Sequence, residues 1–184
     1  YTLWYSKLEN SSETSTNYSA DTMQVSLFKE TENLKYGVNY TTLNSNGNSS
    51  RELSGDQSQT VFYFENDKDT LRYSVAYVIT GKKGGNVALD EDTDSDANFS
   101  IDEVGANDVV DGDVYYFGIT KVFDDTAVEF KYLVGKGDDT AEEMYLSYNV
   151  QLDKNFFCYL SGNMWEKADE SDSQKVEVGF NISF

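Results

Sequence analysis

Leu71, Arg72, Tyr73, Ser74, Val75, Ala76, Tyr77, Val78, Ile79 and Thr80 follow one another without a turn residue between them. A period of two places Leu71, Tyr73, Val75, Tyr77 and Ile79 on one face of an extended chain. Arg72, Ser74, Ala76, Val78 and Thr80 then fall on the other. Helical spacing would scatter both sets around the axis. β-Branched and aromatic residues also fit a pleated surface better than a helix. The stretch reads as a β-strand with one strongly apolar face.

The same period recurs along the chain. Leu34, Tyr36, Val38 and Tyr40 alternate with Lys35, Gly37, Asn39 and Thr41. Val128, Phe130, Tyr132 and Val134 alternate with Glu129, Lys131 and Leu133. Met144, Leu146, Tyr148, Val150 and Leu152 alternate with Tyr145, Ser147, Asn149 and Gln151, and Val176, Val178, Phe180, Ile182 and Phe184 with Lys175, Glu177, Gly179, Asn181 and Ser183. Five further segments, about 1–9, 19–29, 58–65, 114–123 and 156–165, are dense in aromatics and flanked by turn residues, so they also read as strands. In 114–123 both faces carry apolar residues, which leaves its orientation open. The expectation is an all-β chain of ten strands in a single domain.

The connections are asymmetric. Short ones are expected at 30–33, 66–70, 124–126 and 153–155, and long ones at 10–18, 44–57, 81–113, 135–143 and 166–174. In an up-and-down meander successive connections fall at opposite ends of the sheet. All the short turns would then lie at one end and all the long, polar loops at the other, as in outer-membrane barrels.

Composition narrows the function classes. The 184 residues carry 33 acidic and 14 basic side chains, a formal net charge of −19. Nucleic-acid binding needs clustered Lys and Arg, so cations are the favoured partners and nucleic acid is excluded. With no histidine, imidazole bases and His-ligated metals are excluded too. A single cysteine, Cys158, cannot form an internal disulfide. The absence of proline suits long hydrogen-bonded ladders. No run approaches the roughly 20 apolar residues of a membrane helix.

An alternating antiparallel barrel can be soluble, with its apolar face inside, or membrane-bound, with that face against lipid. Apolar faces of about nine or ten residues per strand, with Tyr and Phe near their ends, favour lipid. The ending Val178, Gly179, Phe180, Asn181, Ile182, Ser183, Phe184 resembles the C-terminal strand of Gram-negative outer-membrane barrels. The resemblance implies an antiparallel up-and-down transmembrane β-barrel, a porin-like family, residence in the outer membrane, and contact with its lipid and lipopolysaccharide. It also implies that the barrel-assembly machinery reads Phe180, Ile182 and Phe184 as an insertion signal. The chain opens at Tyr1 inside a strand, where mature members of that family seldom begin. Ten strands is therefore a minimum, and the C-terminal part of a larger porin barrel is a second expectation.

Enzymes among small barrels of that family lean on histidine, which this chain lacks, so no catalytic residue is expected. Lys35, Glu65, Arg72, Glu129, Lys131, Lys175 and Glu177 fall on the polar face and form the expected lumen charge network. Such a network either fills a narrow interior with paired charges or acts as a constriction that selects ions. The first expected function is a passive channel for small polar solutes or ions with weak cation preference, with a homo-oligomer compatible. The alternatives are a closed barrel acting as a scaffold or adhesion module through its acidic loops, and a soluble ligand-binding barrel.

The loop at about 81–113 is the most acidic part of the chain. Residues 90–113 hold ten acids and no Lys or Arg. A solvated, self-repelling extracellular loop is the plain expectation. Counting from Asp92, the residues Asp92, Asp94, Asp96, Asn98, Ser100 and Glu103 fall at positions 1, 3, 5, 7, 9 and 12. That pattern resembles an EF-hand calcium loop, in which position 12 is a bidentate Glu, and it makes Ca²⁺ the candidate ligand; no cofactor is otherwise required. Ala97 stands where the sharp turn calls for Gly, and no flanking helices are evident. Trp165, near a strand end, is expected at a membrane interface.

Overall fold

The computed structural model describes residues 2–10, 18–46, 55–82, 100–153, 155–168 and 171–182. Its strands are β1 (Thr2–Asn10), β2 (Tyr18–Glu30), β3 (Leu34–Asn46), β4 (Gly55–Lys68), β5 (Leu71–Thr80), β6 (Asp113–Phe123), β7 (Thr126–Lys136), β8 (Thr140–Asp153), β9 (Phe156–Lys167) and β10 (Ser173–Ile182). They form one antiparallel sheet in which each strand pairs with its neighbours in sequence, from β1 to β10. The sheet is open: among the described residues β1 and β10 are not paired with each other. The helical content of the described residues is one 3₁₀ turn, Ala106–Asp108.

Several strands run further than their apolar alternation. β4 continues to Gly55 and Lys68, and β7 and β8 extend to Lys136 and Thr140. The expected long connection at 135–143 is thereby reduced to residues 137–139. The ladder continues through Gly135↔Ala141 and Lys136↔Thr140 because pairing needs only backbone groups, not apolar side chains. The connection before β10 likewise shortens from 166–174 to 168–172.

The register assigns the side chains of 114–123 their faces. Val114, Tyr116, Gly118 and Thr120 share a face with Val78, Ala76, Ser74 and Arg72, while Tyr115, Phe117 and Ile119 point the other way. The two faces differ sharply in exposure. Thr41, Ser147 and Asn163 on the first are only 1%, 2% and 4% exposed, whereas Phe62, Leu146 and Met164 on the second are 46%, 54% and 51% exposed. We call these the inner and outer faces. The polar face is the covered one, the reverse of a water-soluble sheet. On the outer face the rings of Phe62 and Tyr77, and of Tyr77 and Tyr115, lie 6.1 and 5.3 Å apart across β4, β5 and β6.

Residues 100–112 are not a solvated loop. They lie over the inner face, where Val104, Ala106 and Val109 are fully buried against Val61, Val78, Val114, Leu133 and Ala141. Burying each of the two valines contributes about 1.5–3 kcal/mol, enough to outweigh the repulsion of a few neighbouring acids. Charge density hid this small apolar set. Gly135 makes the close approach possible: a Cβ there would stand 2.2 Å from Cγ2 of Val109. A Cβ at Gly137 would likewise meet the carbonyl oxygen of Val110 at 2.1 Å. Trp165 also departs from expectation. It sits on the inner face opposite Glu143 and packs against this core, because the β8–β9 register gives it the parity of Asn163, not of Met164.

Candidate functional site

Reading across the sheet, the inner face is organised in rungs of paired residues. One rung runs Glu30, Lys35, Glu65, Ser74, Gly118, Lys131, Tyr145, Asn163, Lys175. The next, towards the short turns, runs Asp67, Arg72, Thr120, Glu129, Ser147, Ser161, Glu177. All seven charged residues picked out by alternation therefore fall on two adjacent rungs. They form a belt across the inner face from β3 to β10.

Within the belt the charges are paired locally. Lys131 Nζ lies 3.2 Å from Glu129 Oε2 and 5.3 Å from the ring centroid of Tyr145. Glu129 also accepts the Thr120 hydroxyl at 3.4 Å. Arg72 pairs with Asp67, its register partner, through Nε at 2.9 Å and through Nη2. Glu65 accepts the Tyr63 hydroxyl at 2.6 Å. Lys35 Nζ stands 5.7 Å from the centroid of Phe28.

Lys175 is the most heavily surrounded cation. Glu177 Oε2 and Glu103 Oε1 lie at 3.4 Å from its Nζ, and Asp102 Oδ2 at 3.8 Å. Two of these carboxylates come from the inward segment, about 70 residues away in sequence. Lys167 Nζ meets Asp108 Oδ1 at 3.2 Å. At its other end the segment is stitched to β5, where Thr80 N donates to the Gly112 carbonyl at 2.9 Å and Gly112 N to the Thr80 hydroxyl at 3.1 Å.

The rung on the loop side of the belt is different in kind. It reads Phe28, Gly37, Tyr63, Ala76, Tyr116, Leu133, Glu143, Trp165, Ser173. Glu143 is its one charged member, and it is fully buried. Its Oε2 accepts from the backbone N–H of Val104 at 2.8 Å, of Glu103 at 3.1 Å and of Asp102 at 3.3 Å. Its Oε1 accepts from Asn163 Nδ2 at 3.0 Å, and the same amide nitrogen reaches Asp102 Oδ2 at 3.0 Å. The sequence placed Glu143 in the expected connection 135–143 and gave no reason to single it out, because its donors come from another part of the chain.

Of the candidate calcium residues, Asp92, Asp94, Asp96 and Asn98 lie outside the described residues. Ser100 is exposed and bridges to Gly105, and Glu103 faces Lys175. Among the described residues no three Cys, Asp or Glu side chains are grouped to hold a metal ion. Phe180 and Ile182 are exposed on the outer face of β10, and Phe184 lies outside the described residues. No helix of the described residues is long and apolar enough to cross a membrane. No family model, curated protein or solved structure matches this chain.

Proposed function

We propose that the chain forms a β-barrel channel in the outer membrane of a Gram-negative bacterium and passes small polar solutes and ions with a weak preference for cations. The observation that carries this reading is the inversion of the two faces. A sheet with Phe62, Leu146 and Met164 outside and Ser, Thr, Asn and paired charges inside is suited to a hydrocarbon solvent. Strands of 13 and 14 residues, as in β2, β3, β4 and β8, exceed the roughly 9–11 that a tilted strand needs to span a bilayer. In hydrocarbon every edge must be satisfied, so the reading requires the open edges of β1 and β10 to be paired, with each other or with further strands.

The interior supports passage over a plug. The apolar core is confined to the loop side, while the belt carries charges that remain partly solvated, with Lys131 and Glu129 about a quarter exposed. Carboxylates outnumber cations where the inward segment meets Lys175, which supports cation preference. The test is planar-bilayer recording of the full chain refolded in detergent. Step-like conductance with a reversal potential favouring cations is expected. Absence of conductance overturns the channel in favour of a closed barrel plugged by residues 100–112. A chain that stays monodisperse without detergent overturns the membrane reading altogether.

A further inference from the structure

We propose that Glu143 is the positioning residue that holds residues 102–104 across the inner face, and that by doing so it sets both the width and the charge of the passage. The inference rests on the channel reading above and adds to it the residue that fixes the constriction. Within the sheet the Glu143 side chain meets Asn163 of β9, and its other donors lie in the inward segment. Its register neighbours on the rung are Leu133 and Trp165, and an apolar side chain there would complete the wall without a buried charge. A carboxylate removed from water must instead be compensated by hydrogen bonds. Three of its four donors are successive backbone N–H groups of a segment some 40 residues earlier in the chain. The fourth, Asn163, bonds Glu143 and Asp102 with the same nitrogen and so ties the carboxylate to the segment a second time.

The consequence for charge follows from what 102–104 carry. With the segment held, Asp102 and Glu103 stand beside Lys175 and leave that part of the inner face with an excess of negative charge. With the segment released, Lys175 keeps only Glu177 among these partners and the segment no longer narrows the space over β8, β9 and β10. Release therefore widens the passage and weakens its preference for cations in one step. Glu143→Gln retains shape but has one acceptor oxygen and no charge. Whichever way its amide is turned, its N–H₂ meets a donor, either Asn163 Nδ2 or a backbone N–H, so at least one donor loses its acceptor and the others lose a charged one.

The experiment compares the wild-type chain with Glu143→Gln in detergent and in planar bilayers, with Glu142→Gln as the outward-facing control on the same strand. Amide exchange of residues 100–109, followed by mass spectrometry, is expected to quicken about tenfold or more in Glu143→Gln, as loss of a charged hydrogen-bond acceptor implies. Exchange in β5 to β9 should stay as in wild type. Single-channel conductance should rise and the reversal potential should move towards zero, neither of which a general loss of stability would produce. Should Glu143→Gln fail to fold, Glu143→Leu matches the apolar rung while still lacking an acceptor, and the same readouts apply. Unchanged exchange at 100–109 overturns the proposal whatever the conductance does. Faster exchange with unaltered conductance and selectivity in a conducting chain overturns it too. Faster exchange in a chain whose wild type never conducts overturns the channel reading and the proposal's claim on the passage, and leaves Glu143 as the latch of a plug.

Discussion

Gly135 and Val109 illustrate how one missing methyl group shapes the inner face. The wall must let Val109 come within contact distance of the β7 backbone, and only a residue without Cβ allows it. Gly135→Ala is expected to destabilise the chain by about 1–3 kcal/mol through overpacking. Equilibrium urea unfolding measures it. Adding Val109→Ala should recover part of that loss, since the two sites share the clash, and strict additivity of the two changes would refute the contact. At Lys175 the expectation concerns charge and not volume. Lys175→Gln leaves Asp102, Glu103 and Glu177 without their shared cation, so cation preference in a bilayer recording should increase. A shift towards anions would mean that these carboxylates do not face the passage.

At the scale of the strand, β8 carries the sharpest test of the two faces. Leu146 and Ser147 are adjacent in sequence and opposite in exposure. In a bilayer, Leu146→Arg places a cation against acyl chains and should cost about 2–4 kcal/mol near the midplane. For a sheet in water the same exposed position would tolerate Arg within about 0.5 kcal/mol. Unfolding titrations in lipid vesicles separate the two outcomes. The turns are a second feature of the elements. Asp69 and Asp124 close the β4–β5 and β6–β7 hairpins with φ of 57° and 43°, in the left-handed region. Asp124→Ala, which lacks the short polar side chain that eases this conformation, should lower stability by roughly 1 kcal/mol, as read from the urea midpoint.

Over the whole molecule the decisive quantity is the balance of charge, −19 in all, set against a belt in which positive and negative groups are interleaved. Local pairing cancels much of the field of the belt, so under the proposed channel reading the long-range field of the excess acids would add to the carboxylates at Lys175 in steering ions. Such a field is screened over about 10 Å at 0.1 M salt and about 3 Å at 1 M. The cation preference measured from reversal potentials should therefore fall as salt rises from 0.1 to 1 M. A preference independent of salt would assign selectivity to close contacts in the belt alone.

Period and punctuation in the sequence were enough for the ten strands, their order as a meander, and the side of the ribbon on which Lys35, Arg72, Glu129, Lys131, Lys175 and Glu177 stand, while the side of Glu65, in the less regular segment 58–65, was fixed by register. These follow from local stereochemistry, because alternation of side chains is a property of each strand by itself. The same reasoning could not orient 114–123, since Val114 and Tyr116 are apolar on the inner face where they meet the inward segment, and it set Trp165 on the wrong side. It took 100–112 for solvated loop because Asp102, Glu103, Asp108 and Asp111 continue the acidic run that begins at Asp90, and that charge outweighed Val104, Ala106 and Val109 in any count along the chain. Only tertiary structure brought Val104, Ala106 and Val109 onto the wall, aligned seven scattered charges on two rungs, and gave Glu143 its donors. The physical reason is that register and burial join groups far apart in sequence, and no local pattern encodes the partner that a buried carboxylate will find.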